Sequence, residues 1–247
     1  MSIPVYMQVN HKVEQTRKDA WVMFDRIAHR YDLLNRLLSF RQDVAWRNRL
    51  ARYLPNRKNQ SVLDVATGTG DVLISLINKS DKIEQAVGID MSERMLDMGR
   101  SKMTRLNLDK IVNLKTGNAT DLQFDEAVFD VATIAFGIRN VNNLELAVQN
   151  LYRVLKRNGR VLILEFSLPG NFILKSMYLF YFRHVLPRIG ALISGDAYAY
   201  NYLNQSVETF PYGEDFCNIM RENGFKNVKF HPLTFGIASI YQGDKEE

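Results

Sequence analysis

Cysteine is nearly absent from this chain, since the 247 residues contain only Cys217. A single thiol cannot form an intramolecular disulfide, and it cannot build a cysteine-based zinc site. The sequence therefore excludes a disulfide-stabilised scaffold and is typical of a protein of the reducing cytosol. We interpret Cys217 itself as a small core residue beside Phe216.

Long apolar runs are also missing. No segment reaches the roughly 18 uncharged apolar residues that a transmembrane helix requires. The first twenty residues are polar and lack the apolar stretch of a secretory signal peptide. The sequence therefore predicts a cytoplasmic protein without a membrane span or an export signal.

Internal repeats and low-complexity segments are absent as well. A length of 247 residues with 46% hydrophobic content suffices for one sizeable core, so we expect a single domain over residues 1–247. The formal net charge of +5 permits contact with an anionic membrane or with nucleic acid, but it establishes neither.

The most informative stretch is Val62 to Asp71, which reads VLDVATGTGD. It predicts a short buried strand, a tight loop of small residues and then a helix, because the following apolar residues recur at helical spacing. This geometry brings a nucleotide-like cofactor against bare backbone. Gly68 and Gly70, on either side of Thr69, allow the close approach because they lack a Cβ. Taken alone, the stretch is also compatible with an ordinary strand-to-helix turn.

A second apolar run, Ala86 to Asp90, reads AVGID and ends in a carboxylate. Asp90 lies about 20 residues beyond the loop, the separation at which an acidic side chain meets ribose hydroxyls. Because a helical pattern starts just after Met91, helix capping by Asp90 is the alternative. In combination with the glycine loop the pattern favours a ribose site at Asp90 and Met91.

The loop also discriminates between two cofactors. A dinucleotide fingerprint needs a third glycine three positions after Gly70, and that position is Leu73. Asp64 at the loop mouth suits a cationic amino-acid group and would repel a pyrophosphate. VLDVATGTGD followed by GID resembles motifs I and II of the class I S-adenosylmethionine-dependent methyltransferases. The expected cofactor is therefore S-adenosyl-L-methionine, and no metal is expected.

Two later strand ends carry further candidates. Asn118 and Ala119 follow the third predicted strand, where an amide can bond the adenine edge and a small neighbour leaves room for the ring. A plain turn is the alternative. Arg139 and Asn140 follow the fourth strand, which ends near Ala135 at the functional edge of an open α/β sheet. We predict that they lie beside the methyl-transfer site, the alternative being surface exposure or helix capping by Asn140.

Two helical segments flank this core. The N-terminal segment, about 12–54, contains YDLLNRLLS and Trp46. We interpret it either as a lid over the cofactor site or as ordinary capping with Trp46 in the core. The insertion of about 172–205 follows the fifth strand, whose Glu165 is a candidate polar wall of the site. It is rich in Phe, Tyr and Leu, so it is either a core-packing helix pair or a substrate cover that touches the membrane.

The chain from about residue 15 to 243 resembles the ubiquinone/menaquinone biosynthesis C-methyltransferases, the UbiE/MenG/Coq5 family. The signatures that carry the resemblance are Tyr31-Asp32 with Asn35, Ser39 and Trp46; AFGIRNV at Ala135 to Val141; HVLPRIG at His184 to Gly190; and Arg153-Val154-Leu155-Lys156 with Gly159 and Glu165-Phe166-Ser167. The chain departs from the family at Asp43, where a histidine is usual and contributes to the N-terminal lid.

The resemblance implies a Rossmann-like α/β class I methyltransferase fold. Its sheet has seven mostly parallel strands with the last antiparallel, helices on both faces and a helical lid insertion. It also implies methylation of a ring carbon of a polyprenyl quinol, either demethylmenaquinol or 2-methoxy-6-polyprenyl-1,4-benzoquinol. Peripheral contact with the inner face of the membrane is expected, and a homodimer is compatible. The alternatives are a methyltransferase of another lipophilic small molecule and a non-catalytic membrane-associated scaffold.

Nucleic acid is not expected as a partner, because the chain has no Asn-Pro-Pro-aromatic motif. In the quinol reaction, loss of a phenolic proton, with a pKa near 10 by analogy with tyrosine, would move charge onto the neighbouring ring carbon. Arg139 would stabilise that phenolate but stays protonated, so the base would be His184, a tyrosine of the insertion or an ordered water. The catalytic candidates are thus Arg139, Asn140 and His184. The cofactor-binding candidates are Asp64, Gly68, Thr69, Gly70, Asp90, Met91, Asn118, Ala119 and Ala135.

Overall fold

The computed structural model describes residues 39–185, 187–188 and 197–246, of which 197–201 by their backbone alone, together with Val22, Asp25, Asp32, Arg36 and Leu37. Much of the predicted N-terminal lid lies outside these residues, including Tyr31 and Asn35 of the family signature. The stretch 189–196 of the predicted insertion lies outside them as well.

A seven-stranded sheet forms the centre of the protein. In chain order the strands are β1 (Gln60–Val65), β2 (Ile83–Asp90), β3 (Val112–Thr116), β4 (Phe129–Ala135), β5 (Leu155–Phe166), β6 (Lys226–Leu233) and β7 (Ala238–Lys245). Their spatial order is β3-β2-β1-β4-β5-β7-β6. The pairs from β3 to β5 are parallel, and β7 runs antiparallel to both of its neighbours. The predicted mostly parallel α/β sheet with an antiparallel last strand is confirmed.

The described helices follow the predicted positions closely. They are α1 (Gln42–Leu50), α2 (Asp71–Lys79), α3 (Glu93–Arg105), α4 (Leu144–Val154), α5 (Phe172–Phe180), α6 (Ala197–Thr209) and α7 (Glu214–Glu222). A π-helical turn (Tyr181–Val185) continues α5, and a short 3₁₀ helix (Ile138–Asn140) follows β4. The sequence pattern predicts that α4 extends to Lys156. The helix ends at Val154, because Leu155 pairs with Phe129 and so begins β5.

Helices cover both faces of the sheet. Neighbouring strand residues point to opposite faces, so each strand contributes apolar side chains to both. Val62 of β1 belongs to a buried cluster that includes side chains of α1, α2 and α3. The next residue, Leu63, belongs to the cluster on the other face, which includes side chains of α4 and α7. All six residues of β1 are buried, as expected for a parallel strand covered on both sides.

The strand order places the ligand crevice. The chain runs outward from β1 through β2 to β3 and then returns to the other side of β1 as β4. Ligands of open α/β sheets bind at such a reversal, outside the carboxyl ends of the strands. The backbones leaving β1 and β4 lie close together here, since a Cβ on Gly137 would sit 2.6 Å from the Cβ of Ala66.

Among the helices in the described part of the chain, none is both long enough and apolar enough to cross a bilayer.

Candidate active site

The loop between β1 and α2 lies at this crevice. Gly68 and Gly70 have φ angles of +56° and +80°, in the left-handed region that favours glycine. A Cβ on Gly70 would meet the Cε of Met103 at 2.3 Å, whereas the nearest atom to a Cβ on Gly68 would be the Sδ of Met95 at 3.5 Å. Gly70 is therefore packed against α3, and Gly68 is the position where a ligand has room to approach the backbone.

Asp64 lies beneath the loop and not at its mouth as expected from the sequence. Its side chain is fully buried in β1. Thr67 donates a hydrogen bond to Oδ2 at 2.6 Å, and Thr133 donates one to Oδ1 at 2.5 Å. Burial raises the pKa of Asp64 to about 7 against the effect of both hydroxyls, and the nearby Asp90 raises it further. Asp64 thus holds the loop in place through Thr67, and direct contact with a ligand has no geometric support.

Asp90 joins the loop to α3 at the carboxyl end of β2. Its Oδ2 accepts a hydrogen bond from the backbone N–H of Gly68 at 2.8 Å, and its Oδ1 accepts one from Ser92 at 2.9 Å. Ser92 in turn caps α3 through the N–H of Met95. Burial raises the pKa of Asp90, although the backbone N–H groups oppose that shift. Support of the helix start is therefore observed. A carboxylate has about four lone-pair sites, so Asp90 keeps acceptor capacity for a ribose hydroxyl beside its backbone partners.

Two residues follow the neighbouring strand β3. The side-chain oxygen of Asn118 accepts hydrogen bonds from the N–H and hydroxyl of Thr120, both at 3.0 Å, so this residue does form the turn considered as the alternative. These bonds use only the amide oxygen, and the NH₂ group keeps its donors for a ligand. Gly117 donates to the backbone oxygen of Asp90 at 3.0 Å, and Ala119 is buried. The structure thus places Asn118 and Ala119 on the edge that carries Asp90, while Met91 is 41% exposed.

Thr69 is buried in a group of charged side chains that the sequence did not predict. Its hydroxyl donates to Asp32 at 3.0 Å and accepts from the ammonium of Lys102 at 2.7 Å. Lys102 also donates to Asp32 and, at 2.8 Å, to Asp71. Although burial would raise the pKa of Asp71, the charge of Lys102 holds it below its usual value. Sequence carried no signal for this group, because its members come from separate elements.

Asp32 and Asp25 bring the N-terminal segment onto the same edge. Asp25 accepts a hydrogen bond from the hydroxyl of Ser92 at 2.7 Å, next to Asp90, while Asp32 contacts Thr69 of the loop. These contacts place Asp25 and Asp32 at the start of α3 and at the glycine loop, and the lid itself stays a prediction. Further along, Asp43 pairs with Arg47 of the same helix at 2.6 Å. The carboxylate at this departure from the family is therefore engaged within α1.

Arg139 lies in the 3₁₀ helix after β4 and forms a buried ion pair with Glu165 at the end of β5. The Nη1–Oε1 distance is 2.7 Å, and the two side chains are 4% and 0% exposed. Nη1 also donates to the backbone oxygen of Phe136 at 2.6 Å. Burial raises the pKa of Glu165, and the guanidinium of Arg139 opposes that shift. Surface exposure of Arg139, the alternative considered from the sequence, is excluded, and the predicted position of Glu165 as a polar wall agrees with the geometry.

Asn140 lies at the same sheet edge as Arg139, but His184 does not. Asn140 accepts a hydrogen bond from the hydroxyl of Tyr202 at 3.1 Å, which ties the 3₁₀ helix to α6. Ala135, half-buried at the end of β4, packs with the α1–α3 side of the core. His184 is exposed, and its ring centroid lies 5.0 Å from that of Phe180, itself 63% exposed. The expectation that His184 is a base therefore has no support from its position.

An apolar layer covers the ion pair. Leu168, Tyr178, Phe182, Tyr202 and Val207 form a buried cluster from the segment after β5, α5, the π-helical turn and α6, with Phe166 of β5 packed against it. Trp46, the core residue of the N-terminal alternative, packs edge-on against Phe166 with ring centroids 6.2 Å apart. The predicted insertion thus forms an aromatic cover whose inner side faces the end of β5. Among the described residues, no group of three or more His, Cys, Asp and Glu side chains has a metal-binding arrangement.

The raised pKa of Asp64 predicts a pH-dependent stability. Its folded-state pKa of about 7 lies well above the usual aspartate value of about 3.9. The proton therefore stabilises the folded state fully below about pH 4, and this contribution is lost as the pH rises through 7. Asp64→Asn should flatten the pH dependence of the unfolding free energy in this window by a change on the order of 4 kcal/mol. Urea denaturation at a series of pH values measures it.

The matched control for this experiment is Asp97→Asn on α3, whose side chain is 69% exposed. It should give a stability profile parallel to that of the wild type. Parallel profiles for the wild type and Asp64→Asn would contradict a raised pKa of Asp64.

Comparisons with known proteins agree with this geometry. The ubiE/COQ5 methyltransferase family matches residues 11–245. A relative from Geotalea daltonii, the ubiquinone/menaquinone biosynthesis C-methyltransferase UbiE, is 44% identical over 90% of this chain and 94% of its own. The demethylmenaquinone methyltransferase of Bacteroides fragilis is 39% identical over 98% and 97%. The crystal structure of a SAM-dependent methyltransferase from Thermotoga maritima shares the fold, with a TM-score of 0.64, 20% identity and coverage of 91% and 99%.

The match to the family spans nearly the whole chain, and the two relatives cover it at identities well above those at which only a fold is shared. The expected S-adenosylmethionine cofactor and the expected fold follow from it. The chain belongs to the ubiE/COQ5 methyltransferase family and is an S-adenosylmethionine-dependent methyltransferase.

Proposed function

We propose that this enzyme methylates a ring carbon of a polyprenyl quinol in menaquinone or ubiquinone biosynthesis. The observation that carries the proposal is the adjacency of two features at one sheet edge. The glycine loop with Asp90 lies at the ends of β1 and β2, and the buried Arg139–Glu165 pair lies under an aromatic cover at the ends of β4 and β5. The names of the relatives support the substrate class.

The first feature suits S-adenosylmethionine. In this proposal Gly68 and Gly70 with Thr69 form the backbone cradle, Asp90 with Met91 receives the ribose, and Asn118 with Ala119 receives the adenine. Asp64 supports the loop from below, and Ala135 closes the site from the end of β4. When bound, S-adenosylmethionine supplies an electrophilic methyl group, and its sulfur takes the electron pair of the broken S–CH₃ bond.

The second feature suits an aromatic ring with an ionising oxygen. The guanidinium of Arg139 stabilises negative charge on a ring oxygen as its proton leaves, and that charge is shared with the neighbouring ring carbon. This carbon forms the bond to the methyl carbon and then gives up its hydrogen as a proton, while the ring oxygen takes a proton back. One proton is therefore released overall. Glu165 orients Arg139, and Asn140, held by Tyr202, lies beside it.

The quinol proposal predicts a requirement for reductant. The oxidised ring is electrophilic and cannot attack an electrophilic methyl group, whereas the quinol ring is electron-rich. Purified enzyme with short-chain demethylmenaquinone and S-adenosylmethionine should therefore form methylated product only when dithionite is present. Mass spectrometry of the extracted quinones under anaerobic conditions measures it. Equal methylation with and without dithionite would overturn the mechanism, and no methylation of any prenylated quinol would overturn the function.

The ribose proposal predicts the effect of Asp90→Ala. Loss of this acceptor should weaken S-adenosylmethionine binding by about 1.5–3 kcal/mol, the range for a hydrogen bond to a charged group. Isothermal titration calorimetry gives the affinity. Because the alanine also leaves the N–H groups of Gly68 and Ser92 without their acceptor, Asp90→Asn, which keeps one oxygen, separates ligand contact from loop support. Asp97→Ala is the exposed control, and unchanged affinity in Asp90→Ala would remove Asp90 from the site.

The outer side of α5 supports peripheral contact with the inner face of the membrane. Phe172, Ile173, Met177 and Phe180 are 83%, 67%, 65% and 63% exposed, an apolar face of the size that binds the interfacial region of a bilayer. Arg188 is exposed beside it, whereas Arg183 is paired with Glu208 at 2.6 Å and contributes less net charge than the sequence suggested. A polyprenyl tail leaves the bilayer at a cost of about 0.8 kcal/mol per CH₂. An enzyme that docks on the lipid surface avoids that cost.

Docking by α5 predicts weak binding to vesicles. The triple variant Phe172→Ser, Met177→Ser and Phe180→Ser should lose most of the flotation that the wild type shows with vesicles containing anionic phospholipid. Salt should weaken the wild-type binding, because part of it is electrostatic. Leu106→Ser, at an exposed apolar position at the end of α3, is the control and should float like the wild type. Equal flotation of the triple variant would exclude α5 as the docking element.

A further inference from the structure

Two buried hydrogen-bond donors beneath the aromatic cover have no acceptor among the residues that the structure describes. They are the Nε–H of Arg139 and the hydroxyl of Tyr178. The Arg139 side chain is 4% exposed and Tyr178 is 9% exposed, so bulk water does not solvate these groups freely. A buried polar group without a partner is costly, and native proteins keep few of them. Both donors are therefore candidates for contact with a ligand.

The two donors belong to one continuous set of contacts. The guanidinium carbon of Arg139 lies 5.3 Å from the ring centroid of Phe166. The Phe166 ring lies 6.3 Å from that of Phe182, which lies 4.9 Å from that of Tyr178. The charges of Arg139 and Glu165 both act on the phenol of Tyr178. The inner side of α5 is thus placed over the end of β4 and the end of β5.

The acceptor that these donors lack is not Glu165. Its Oε1 accepts from the Nη1 of Arg139 at 2.7 Å and from the backbone N–H of Phe166 at 2.8 Å. Its Oε2 accepts from the backbone N–H of Arg139 at 3.4 Å. These bonds neutralise and orient Arg139 but leave its Nε–H to another acceptor. A ligand that carries an oxygen at the edge of an aromatic ring would satisfy both donors and fit the surrounding aromatic rings.

We propose that the Nε–H of Arg139 and the hydroxyl of Tyr178 together bind the ring oxygen next to the carbon that is methylated, which makes Tyr178 a further catalytic residue. This inference rests on the proposed quinol function. As the ring oxygen loses its proton, its negative charge strengthens both hydrogen bonds, so the two donors favour the reactive phenolate over the neutral quinol.

Tyr178 acts in this role as a donor and not as a base. Burial raises the pKa of its phenol, and the charge of Glu165 and the neighbouring Tyr181 add to that effect, while Arg139 opposes it. The phenol therefore stays protonated at neutral pH. Of the bases considered from the sequence, a lid tyrosine at this position is excluded, because a group that keeps its proton cannot accept another.

The first test is the pH dependence of turnover in Tyr178→Phe. Without the hydroxyl, the pKa of the bound quinol should move up by about one unit and kcat at pH 7 should fall about 10-fold, the lower end for a hydrogen bond to a charged group. The melting temperature should be unchanged or slightly higher, because the hydroxyl has no partner in the described part of the chain. Tyr212→Phe, at a half-buried tyrosine packed against the same cover, is the control and should keep the wild-type profile.

The second test does not depend on turnover. 2-Naphthol fluoresces differently as a phenol and as a phenolate, so it reports which form the enzyme binds. Wild-type enzyme should lower the apparent pKa of bound 2-naphthol, because it binds the phenolate more tightly than the phenol. In Tyr178→Phe this preference for the phenolate should be about 10-fold weaker. An unchanged kcat–pH profile and an unchanged 2-naphthol pKa in Tyr178→Phe would overturn the proposal. Failure of wild-type enzyme to methylate any quinol, with the naphthol effect present, would instead overturn the quinol function alone.

Discussion

The buried ion pair between Arg139 and Glu165 is the interaction on which the rest of the site depends. Removing two opposite charges from water is expensive, and the cost is offset only when geometry and additional hydrogen bonds are good. Here the pair receives both, from the carbonyl of Phe136 and the N–H of Phe166. Losing one partner would leave the other charge buried and uncompensated, at about 3–5 kcal/mol. The pair therefore fixes the chain leaving β4 against the chain leaving β5, and with them the floor under the aromatic cover.

The other half of the crevice is organised by carboxylates that are held away from ordinary ionisation. Asp64 and Asp90 lie near one another under and beside the glycine loop, and both have raised pKa values because they are buried. Hydroxyl and backbone N–H donors partly compensate for the lost water. Both carboxylates hold the glycine loop from the protein side, Asp64 through the hydroxyl of Thr67 and Asp90 through the backbone N–H of Gly68.

Helix α5 connects the chemistry to the surface, because it carries large apolar or aromatic side chains on its exposed side as well as on its buried side. Tyr178 is buried on the inner side, while Met177 and Phe180 are exposed on the outer side. An ordinary amphipathic helix would expose polar residues there. A helix with an exposed apolar face favours a second apolar environment, and the proposed substrate is itself partly aromatic head group and partly lipid tail. One short helix can therefore meet both parts of the same molecule.

The sequence by itself determined the sheet, its parallel direction, the glycine loop and the acidic strand ends, because these follow from local patterns of apolar spacing and from residues with special backbone freedom. It also placed Asp90, Asn118 and Arg139 on one edge, since parallel strands end together. Only the tertiary structure decided that Asp64 lies beneath the loop, that Arg139 pairs with Glu165, that Lys102 meets Asp32, and that His184 faces outward while Tyr178 faces inward. These outcomes depend on which side chains distant in sequence become neighbours, and on how much water each loses. Neither quantity is encoded by local spacing along the chain.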